Sequence, residues 1–317
     1  MRPIEVLHLG SCLLNAPVSA LLDEGLVRWS LDRASFERAS DIERWSPERG
    51  GYRRSSAVYS VDEAIQLLGF LHGEIHIPKE LRHLCDLESA WTWSPAWGEG
   101  LRSAEIVLLE IPYPVRISLD AVVLNPIELN VRIGDVLSAR DPELKAVYKG
   151  WYYQGLMGCN EAVRIETGRR LADAVHDEVP HPDIARYVLL SARPHHLDAT
   201  ELAERVAIIQ DRIKQPLAIV THTRAYMPDG RPLAWPPELP EQTIAVANKL
   251  GIPVFEPSKV VKAYGAREAL EDDLCHYRVQ FWPALGSELL PFMRQVIGKT
   301  TSMGTATRAS EPASLPD

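Results

Sequence analysis

The amino-acid sequence predicts an α/β fold in which helices cover both faces of a parallel sheet. Short apolar segments of strand length alternate with longer segments whose apolar residues recur at helical spacing, and this alternation is typical of parallel sheets. The first pair is the clearest, because the apolar residues 4–9 end at Gly10. Leu13, Leu14 and Val18 then follow at helical spacing. We therefore expect three layers, with the sheet between two layers of helices.

Composition and charge exclude several classes of protein. The chain has 317 residues, 46% of them apolar and 24% charged, which suits one large domain or two small ones. Its formal net charge of -9 argues against nucleic acid as a partner, because binding the phosphate backbone requires concentrated positive charge. No stretch reaches the ~18 uninterrupted apolar residues of a membrane helix, and the first residues lack the pattern of a signal peptide. We expect a cytoplasmic protein that binds neither nucleic acid nor a membrane, and its oligomeric state stays open.

The segments after the first helix continue the alternation. Residues 31–51 lack a clear period and are predicted to form a long loop, whereas residues 61–71 are predicted to form a helix. Residues 104–111 form a second apolar strand that ends at Pro112. Between these segments, three tryptophans are predicted to pack a loop against the core: Trp91, Trp93 and Trp97.

The second half of the chain adds an insertion and the remaining strands. Helical spacing over residues 141–187 predicts a helical insertion at about residues 116–187, which we interpret as a lid, and residues 187–190 fit the end of either a strand or a helix. Asp198 and Glu201 have the spacing of a capping box at the start of a helix. Later elements are predicted at residues 217–221 and 252–255 as strands and at residues 258–264 as a helix. The Ser, Thr, Ala and Pro content of residues 298–317 predicts a disordered tail, which leaves one domain over residues 1–297.

One cysteine lies where chemistry is expected. Four cysteines are too far apart for a zinc site and too few for a disulfide scaffold, and are predicted to be unlinked thiols: Cys12, Cys85, Cys159 and Cys275. Cys12 follows the turn after the first strand, and ligands of parallel sheets bind beyond the carboxyl ends of strands. A helix N-terminus at this turn would favour the thiolate. A cysteine packed behind a strand is the commoner reason for such a pattern.

A second candidate lies near the end of the domain. Asp273 stands three residues before His276, so its carboxylate can turn back and accept a hydrogen bond from the imidazole. This contact would fix the tautomer of His276 and leave its other nitrogen for a nucleophile. The same residues also fit a solvated acidic surface at a helix start.

The order of these motifs resembles the SGNH (GDSL-type) hydrolase superfamily. The Gly-Ser-Cys turn at Cys12 and the Asp-x-x-His block at His276 carry the resemblance, which covers residues 4–25, 104–112 and 188–295. The Gly-Ser-Cys turn is similar to that of the GSCFA branch and of the WcbI-like capsule acetyltransferases.

The resemblance implies a fold and a set of roles. The fold would be a flavodoxin-like, three-layer sheet. Cys12 would take the position of the nucleophilic serine, and Ser11 that of the aspartate before it. His276 would be the general base, and Asp273 the carboxylate that orients it.

One block of the superfamily is missing. The Gly-x-Asn-Asp motif should follow the second strand, where this chain reads Glu110-Ile-Pro-Tyr-Pro, so the asparagine that donates to the oxyanion is absent. We consider Ser11 and Asn15 as replacements. Other donors that stay open are Asn125, Asn130 and the backbone N–H groups of Cys12 and Leu13.

These residues predict acyl transfer. A Cys12 thiolate, formed with the help of His276, would attack an acyl carbonyl, and the resulting thioester would pass its acyl group to water or to an acceptor hydroxyl or amine. A thiolate exchanges readily with thioesters, so coenzyme A or an acyl carrier suits it as donor. We expect an esterase, a thioesterase or an O-acyltransferase that requires no cofactor and acts on a small-molecule, glycan or carrier-bound substrate. The alternative is a catalytically silent protein of this fold that binds a glycan or a protein partner.

Weaker signals lie elsewhere in the chain. Three polar residues at predicted strand ends or the loops after them are candidates for substrate binding: Glu110, His222 and Arg224. An ion pair between Glu110 and Arg116 is an alternative for the first of them. Metal-ligand spacing is missing, so we predict no metal site among His195, His196 and His222. An aromatic set fits either an acyl pocket or helix packing: Trp151, Tyr152 and Tyr153.

Overall fold

A computed structural model describes residues 2–30, 58–87, 101–223, 238–273 and 276–308, with side chains as far as residue 299. Several predictions of the sequence lie outside these residues, namely the loop at 31–51, Trp91, Trp93, Trp97, Arg224 and Cys275.

The described elements alternate between strands and helices. In chain order they are β1 (Ile4–Leu9), α1 (Cys12–Asp23), β2 (Val27–Trp29), α2 (Val61–Leu71), α3 (Lys79–Arg82), β3 (Ile106–Glu110), β4 (Val115–Leu119), β5 (Val122–Val123), α4 (Pro126–Leu129), α5 (Asp135–Arg140), α6 (Pro142–Lys149), α7 (Glu161–Ala174), α8 (Pro182–Ser191), β6 (Arg193–His196), α9 (Ala199–Arg212), β7 (Leu217–Val220), α10 (Leu239–Leu250), β8 (Val254–Phe255), α11 (Pro257–Tyr264), α12 (Ala266–Ala269) and α13 (Trp282–Arg308). Two π-helices, Asn130–Gly134 and Gly150–Met157, follow α4 and α6.

Five parallel strands form the central sheet in the order β2-β1-β3-β7-β8. Alternate residues of a strand point to opposite faces of a sheet. Val6 and Leu108 pack with α1 and α13, whereas Leu7 and Leu109 pack with α2, α9 and α10. Helices therefore cover both faces, and the predicted three-layer α/β/α fold is confirmed. Numbered among themselves along the chain, the five strands have the order 2-1-3-4-5, which is that of flavodoxin-like sheets.

The stretch predicted as a helical insertion contains strands as well as helices. Strands β4, β5 and β6 form a separate antiparallel sheet in the order β5-β4-β6, and helices α4 to α8 lie between β5 and β6 in the chain. Strand β6 includes His195 and His196. Its sequence, Arg-Pro-His-His, has no apolar alternation, and the strand is specified by pairing with β4. Residues 187–190 lie in α8, which decides between the two predicted ends in favour of a helix.

Side chains of α2 fasten this second sheet to the main domain. The amide of Gln66 bonds both backbone groups of Val123, each at 2.7 Å. Nearby, the Nδ2 group of Asn125 donates to Glu63 at 2.9 Å. Burial raises the pKa of Glu63 to about 8, although hydrogen bonds from its neighbours oppose the shift.

Two helix ends bear on the sequence predictions. The capping box of Asp198 and Glu201 is confirmed at the start of α9, with both reciprocal hydrogen bonds present. At the other end, α13 continues to Arg308 and so includes the first part of the predicted tail from Gly298 onward. Adding residues to an existing helix is far easier than starting one, so moderate helix formers such as Ser and Thr extend it.

Among the described residues, no helix is both long enough and apolar enough to cross a membrane.

Candidate active site

The carboxyl edge of the central sheet carries the candidate residues on neighbouring strands. Leu9 of β1 lies opposite Leu109 of β3, and Glu110 at the end of β3 lies opposite Val220 of β7. From β1 the chain continues to one side of the sheet, and from β3 it continues to the other, so the strand order reverses between β1 and β3. Ligands of open parallel sheets bind beyond the strand ends at such a point.

Gly10 allows the turn after β1 to approach β3 closely. A β-carbon at this position would lie 2.7 Å from Glu110 Cβ and 3.0 Å from Glu110 Oε2. Packed atoms do not tolerate such distances, so a larger residue would force the turn away from β3. Glycine therefore lets the backbone of the next residue reach the carboxylate of Glu110.

Ser11 caps α1, and Cys12 is its first residue. Ser11 Oγ accepts a hydrogen bond from the N–H of Leu13 at 3.2 Å, which is the usual contact of an N-terminal cap. Cys12 carries a thiol outside any disulfide, is half-buried, and packs against an apolar cluster that includes Tyr277. The helix N-terminus favours negative charge at this sulfur.

Glu110 joins the Cys12 turn to the segment that follows β7. Its side chain is 1% exposed. Oε2 accepts hydrogen bonds from the N–H and the O–H of Ser11, both at 2.8 Å, and Oε1 accepts one from Nδ1 of His222 at 2.8 Å. These three donors stabilise a carboxylate that burial alone would make costly. Its partners are therefore Ser11 and His222 rather than Arg116.

A second contact links the His222 segment to the end of the domain. The hydroxyl of buried Thr223 is hydrogen-bonded to the hydroxyl of Tyr277. Burial raises the pKa of Tyr277 far above its ordinary value; the Thr223 hydrogen bond opposes the shift, and the nearby Glu110 and Cys12 add to it. Tyr277 therefore keeps its proton. It lies near Cys12, which follows β1, and near Glu110, which ends β3.

Asp273 and His276 form a pair on the turn just before Tyr277. An isolated antiparallel bridge between Leu270 and Tyr277 closes this turn. Asp273 Oδ2 lies 2.5 Å from His276 Nδ1, and Asp273 Oδ1 accepts the backbone N–H of His276 at 3.0 Å. The contact that the three-residue spacing predicted is confirmed. Both side chains are nearly half exposed, at 48% and 43%.

Comparison with known proteins assigns the chain to a family. A family model described as the TviD N-terminal domain matches residues 4–292. The chain belongs to the TviD N-terminal domain family. No curated protein and no solved structure matches it. The family points to an acyltransferase-related, sugar-modifying protein and does not name the SGNH superfamily, so the finer resemblance stays a prediction.

In this member of the TviD N-terminal domain family, the predicted oxyanion donors are engaged elsewhere. Ser11 gives its N–H and O–H to Glu110, and the N–H of Leu13 donates to Ser11 Oγ. Asn15 is buried on α1, where it is hydrogen-bonded to His8 and accepts from Ser19. These placements argue against Ser11 and Asn15 as oxyanion donors. The reason is physical: the N-cap contact and the buried His8 both require a local partner, and the nearest polar groups serve them.

The other polar candidates of this family member also have structural partners. Asn125 caps α4 with its Oδ1 and donates to Glu63 with its Nδ2. His195 faces Glu201 at 2.8 Å on the surface of the second sheet. Among the described residues, one group has ligand atoms close enough to share a metal ion, namely Glu271, Asp273 and His276. This group is exposed, and Asp273 already holds His276, so we assign it no metal.

Three residues of the site carry no motif in the sequence. Tyr59, whose pKa is raised mainly by burial and further by the nearby Cys12, stacks on Tyr113 with ring centres 6.1 Å apart. Thr223 and Tyr277 each follow a candidate histidine directly, which is the only signal that could have drawn attention to them. The aromatic set of the insertion divides: Trp151 and Tyr152 are buried in helix packing, and Tyr153 is 61% exposed.

Proposed function

We propose that the chain is an acyltransferase that modifies a saccharide and that carries the acyl group on Cys12. Membership of the TviD N-terminal domain family supports acyl transfer in polysaccharide modification at a coarse level. The observation that carries the finer proposal is the position of Cys12, which begins α1 at the point where the strand order of the sheet reverses.

The first half of the reaction forms a thioester on Cys12. His276, held at Nδ1 by Asp273, presents Nε2 as the base that takes the thiol proton. The thiolate attacks the acyl carbonyl of the donor and forms the carbon–sulfur bond. The donor's leaving group departs with its electron pair and receives the proton from His276.

A thioester is the donor that suits this nucleophile best. The bond that breaks in the donor and the bond that forms on Cys12 are then of the same kind, so neither side of the exchange is strongly favoured. Coenzyme A thioesters and acyl carriers both fit, and each would be a substrate rather than a resident cofactor. The acceptor in this proposal is a hydroxyl of a saccharide, and transfer to water would make the protein an esterase or thioesterase.

Intact-mass spectrometry tests the proposal. The wild-type protein is mixed with a panel of acetyl and longer acyl thioesters and activated esters, and release of the donor thiol or alcohol is recorded alongside the protein mass. We expect an acyl adduct or turnover in the wild type and neither in Cys12→Ala. Cys159→Ala is the matched control, because Cys159 is also half-buried and outside any disulfide, but burial raises its pKa.

Two results would contradict the proposal. Equal adduct formation in Cys12→Ala and the wild type would reject Cys12 as the nucleophile. If the wild type shows neither adduct nor turnover with any donor, the enzyme proposal fails and the alternative, a protein that binds a glycan or a protein partner, takes its place.

A further inference from the structure

The mechanism proposed above assigns no role to one pair of polar residues at the site. Glu110 and His222 form a hydrogen-bonded pair that touches the Cys12 turn through Ser11, yet neither takes part in the formation of the thioester. Residues this far apart in sequence meet only because β3 and β7 are neighbours in the sheet. The three hydrogen bonds of Glu110 offset the cost of its burial and hold the imidazole of His222 in a fixed place beside the Cys12 turn.

The hydrogen bond to Glu110 defines which nitrogen of His222 is available. A carboxylate only accepts hydrogen bonds, so the Nδ1 of His222 carries the proton and Nε2 carries the lone pair. The imidazole is 19% exposed, whereas Glu110 is 1% exposed. Nδ1 is thus fixed by a buried partner, and part of the ring stays exposed on the segment that follows β7 at the carboxyl edge of the sheet. Negative charge on Glu110 would stabilise the imidazolium that forms when Nε2 takes a proton.

The second half-reaction transfers the acyl group from Cys12 to the acceptor hydroxyl. It depends on a general base more strongly than the formation of the thioester does. A thiol, with an ordinary pKa of ~8.5, gives up its proton near neutral pH to a base such as His276. A saccharide hydroxyl is a far weaker acid and attacks a thioester slowly unless a base removes its proton. The Thr223–Tyr277 contact joins the segment of His222 to the segment of His276, and the pair of Glu110 and His222 touches the Cys12 turn through Ser11.

We propose that His222, positioned by Glu110, is the catalytic base that deprotonates the acceptor hydroxyl when the acyl group leaves Cys12. This assignment rests on the proposed acyl-Cys12 intermediate. Nε2 takes the hydroxyl proton, the oxygen attacks the thioester carbonyl, and the carbon–oxygen bond forms. The carbon–sulfur bond then breaks and Cys12 departs as thiolate, which regains a proton by way of His222. The products are the acyl ester and the free enzyme.

Hydroxylamine separates this role from a structural one. Its neutral nitrogen attacks thioesters without a base, whereas water and saccharide hydroxyls need one. Acetyl-coenzyme A is used to load Cys12, and the decay of the adduct is followed by rapid quench and mass spectrometry in water alone, with methyl pyranosides, and with hydroxylamine. In His222→Gln we expect loading and hydroxylamine decay within about twofold of the wild type. Decay to water and to pyranosides should be at least tenfold slower, in keeping with the ~10²–10⁴-fold effect of a general base.

Two further variants serve as controls for His222→Gln. His195→Gln removes a histidine with the same carboxylate distance of 2.8 Å on the surface of the second sheet and should change nothing. Glu110→Gln tests the positioning role and should slow the hydroxyl step more than the hydroxylamine step. The proposal is overturned if decay to water and pyranosides is unchanged in His222→Gln, if all three decays slow equally, or if loading is lost. His222→Asn serves if the first variant does not fold. Failure of the wild type itself to load or turn over would instead reject the acyl-Cys12 proposal.

Discussion

Two histidine–carboxylate pairs enter the proposed mechanism, and they differ in how the fold holds them. Glu110 and His222 connect the ends of two strands, and their carboxylate is buried with two further donors from Ser11. Asp273 and His276 are three residues apart on an exposed turn. Removing one partner of a buried pair leaves the other buried without its hydrogen bonds and is strongly destabilising, whereas breaking an exposed pair costs little stability. Substitutions in the two pairs should therefore separate folding from reactivity.

The largest effect on stability is expected for Glu110→Ala. Removing this carboxylate leaves the Ser11 and His222 donors buried without their partner, which should lower the free energy of unfolding by about 3–5 kcal/mol. Urea unfolding followed by circular dichroism measures the loss. A loss below about 1 kcal/mol would show that the pair is not held as tightly as its burial indicates.

A second buried carboxyl group, Glu63, sharpens the comparison with Glu110. Its hydrogen bonds come from the backbone of Tyr59 and from Ser60 and Asn125, and none of these comes from a histidine. Its pKa is raised to about 8, mainly by burial, so the folded state keeps a proton that the unfolded chain releases near the ordinary value. Its stability contribution is complete at acidic pH and is lost as the pH rises towards 8. Relative to Glu63→Gln, the wild type should lose up to about 1.4 kcal/mol per pH unit between pH 6 and 8. Parallel pH dependence in the two proteins, measured by urea unfolding, would refute this assignment.

The smallest effect on stability is expected for Asp273→Ala. An exposed pair of this kind contributes about 0–1 kcal/mol, so the urea midpoint should change little. The same substitution should slow loading of Cys12 by about 10²-fold, because His276 loses the group that fixes its tautomer. Unchanged loading in a folded variant would remove the Asp273–His276 pair from the mechanism.

The same contrast explains what could be predicted from the sequence. The turn of Cys12, the cap at Asp198 and the contact between Asp273 and His276 each depend on residues a few positions apart, and each pattern was visible. Glu110 and His222 were recognised one by one as residues at strand ends, but their pairing depends on β3 and β7 being neighbours. That order is a property of the whole sheet.

In the insertion, the sequence predicted the helices but not strand β6. Its helices have apolar spacing and were predicted, but β6 has no alternating pattern, because it is an exposed strand that depends on β4 for its hydrogen bonds. The engagement of Asn15 with buried His8 was equally hidden, since it depends on the face that α1 turns to the sheet.

One measurement tests the central claim most directly, namely the location of the acyl group in His222→Gln. This variant should load from acetyl-coenzyme A but release the group slowly, so the intermediate that the wild type consumes should accumulate. Peptide mapping by tandem mass spectrometry after a rapid acid quench should place one acetyl group on Cys12. An acetyl group on a different residue, or no adduct in a protein whose wild type turns the donor over, would contradict the account.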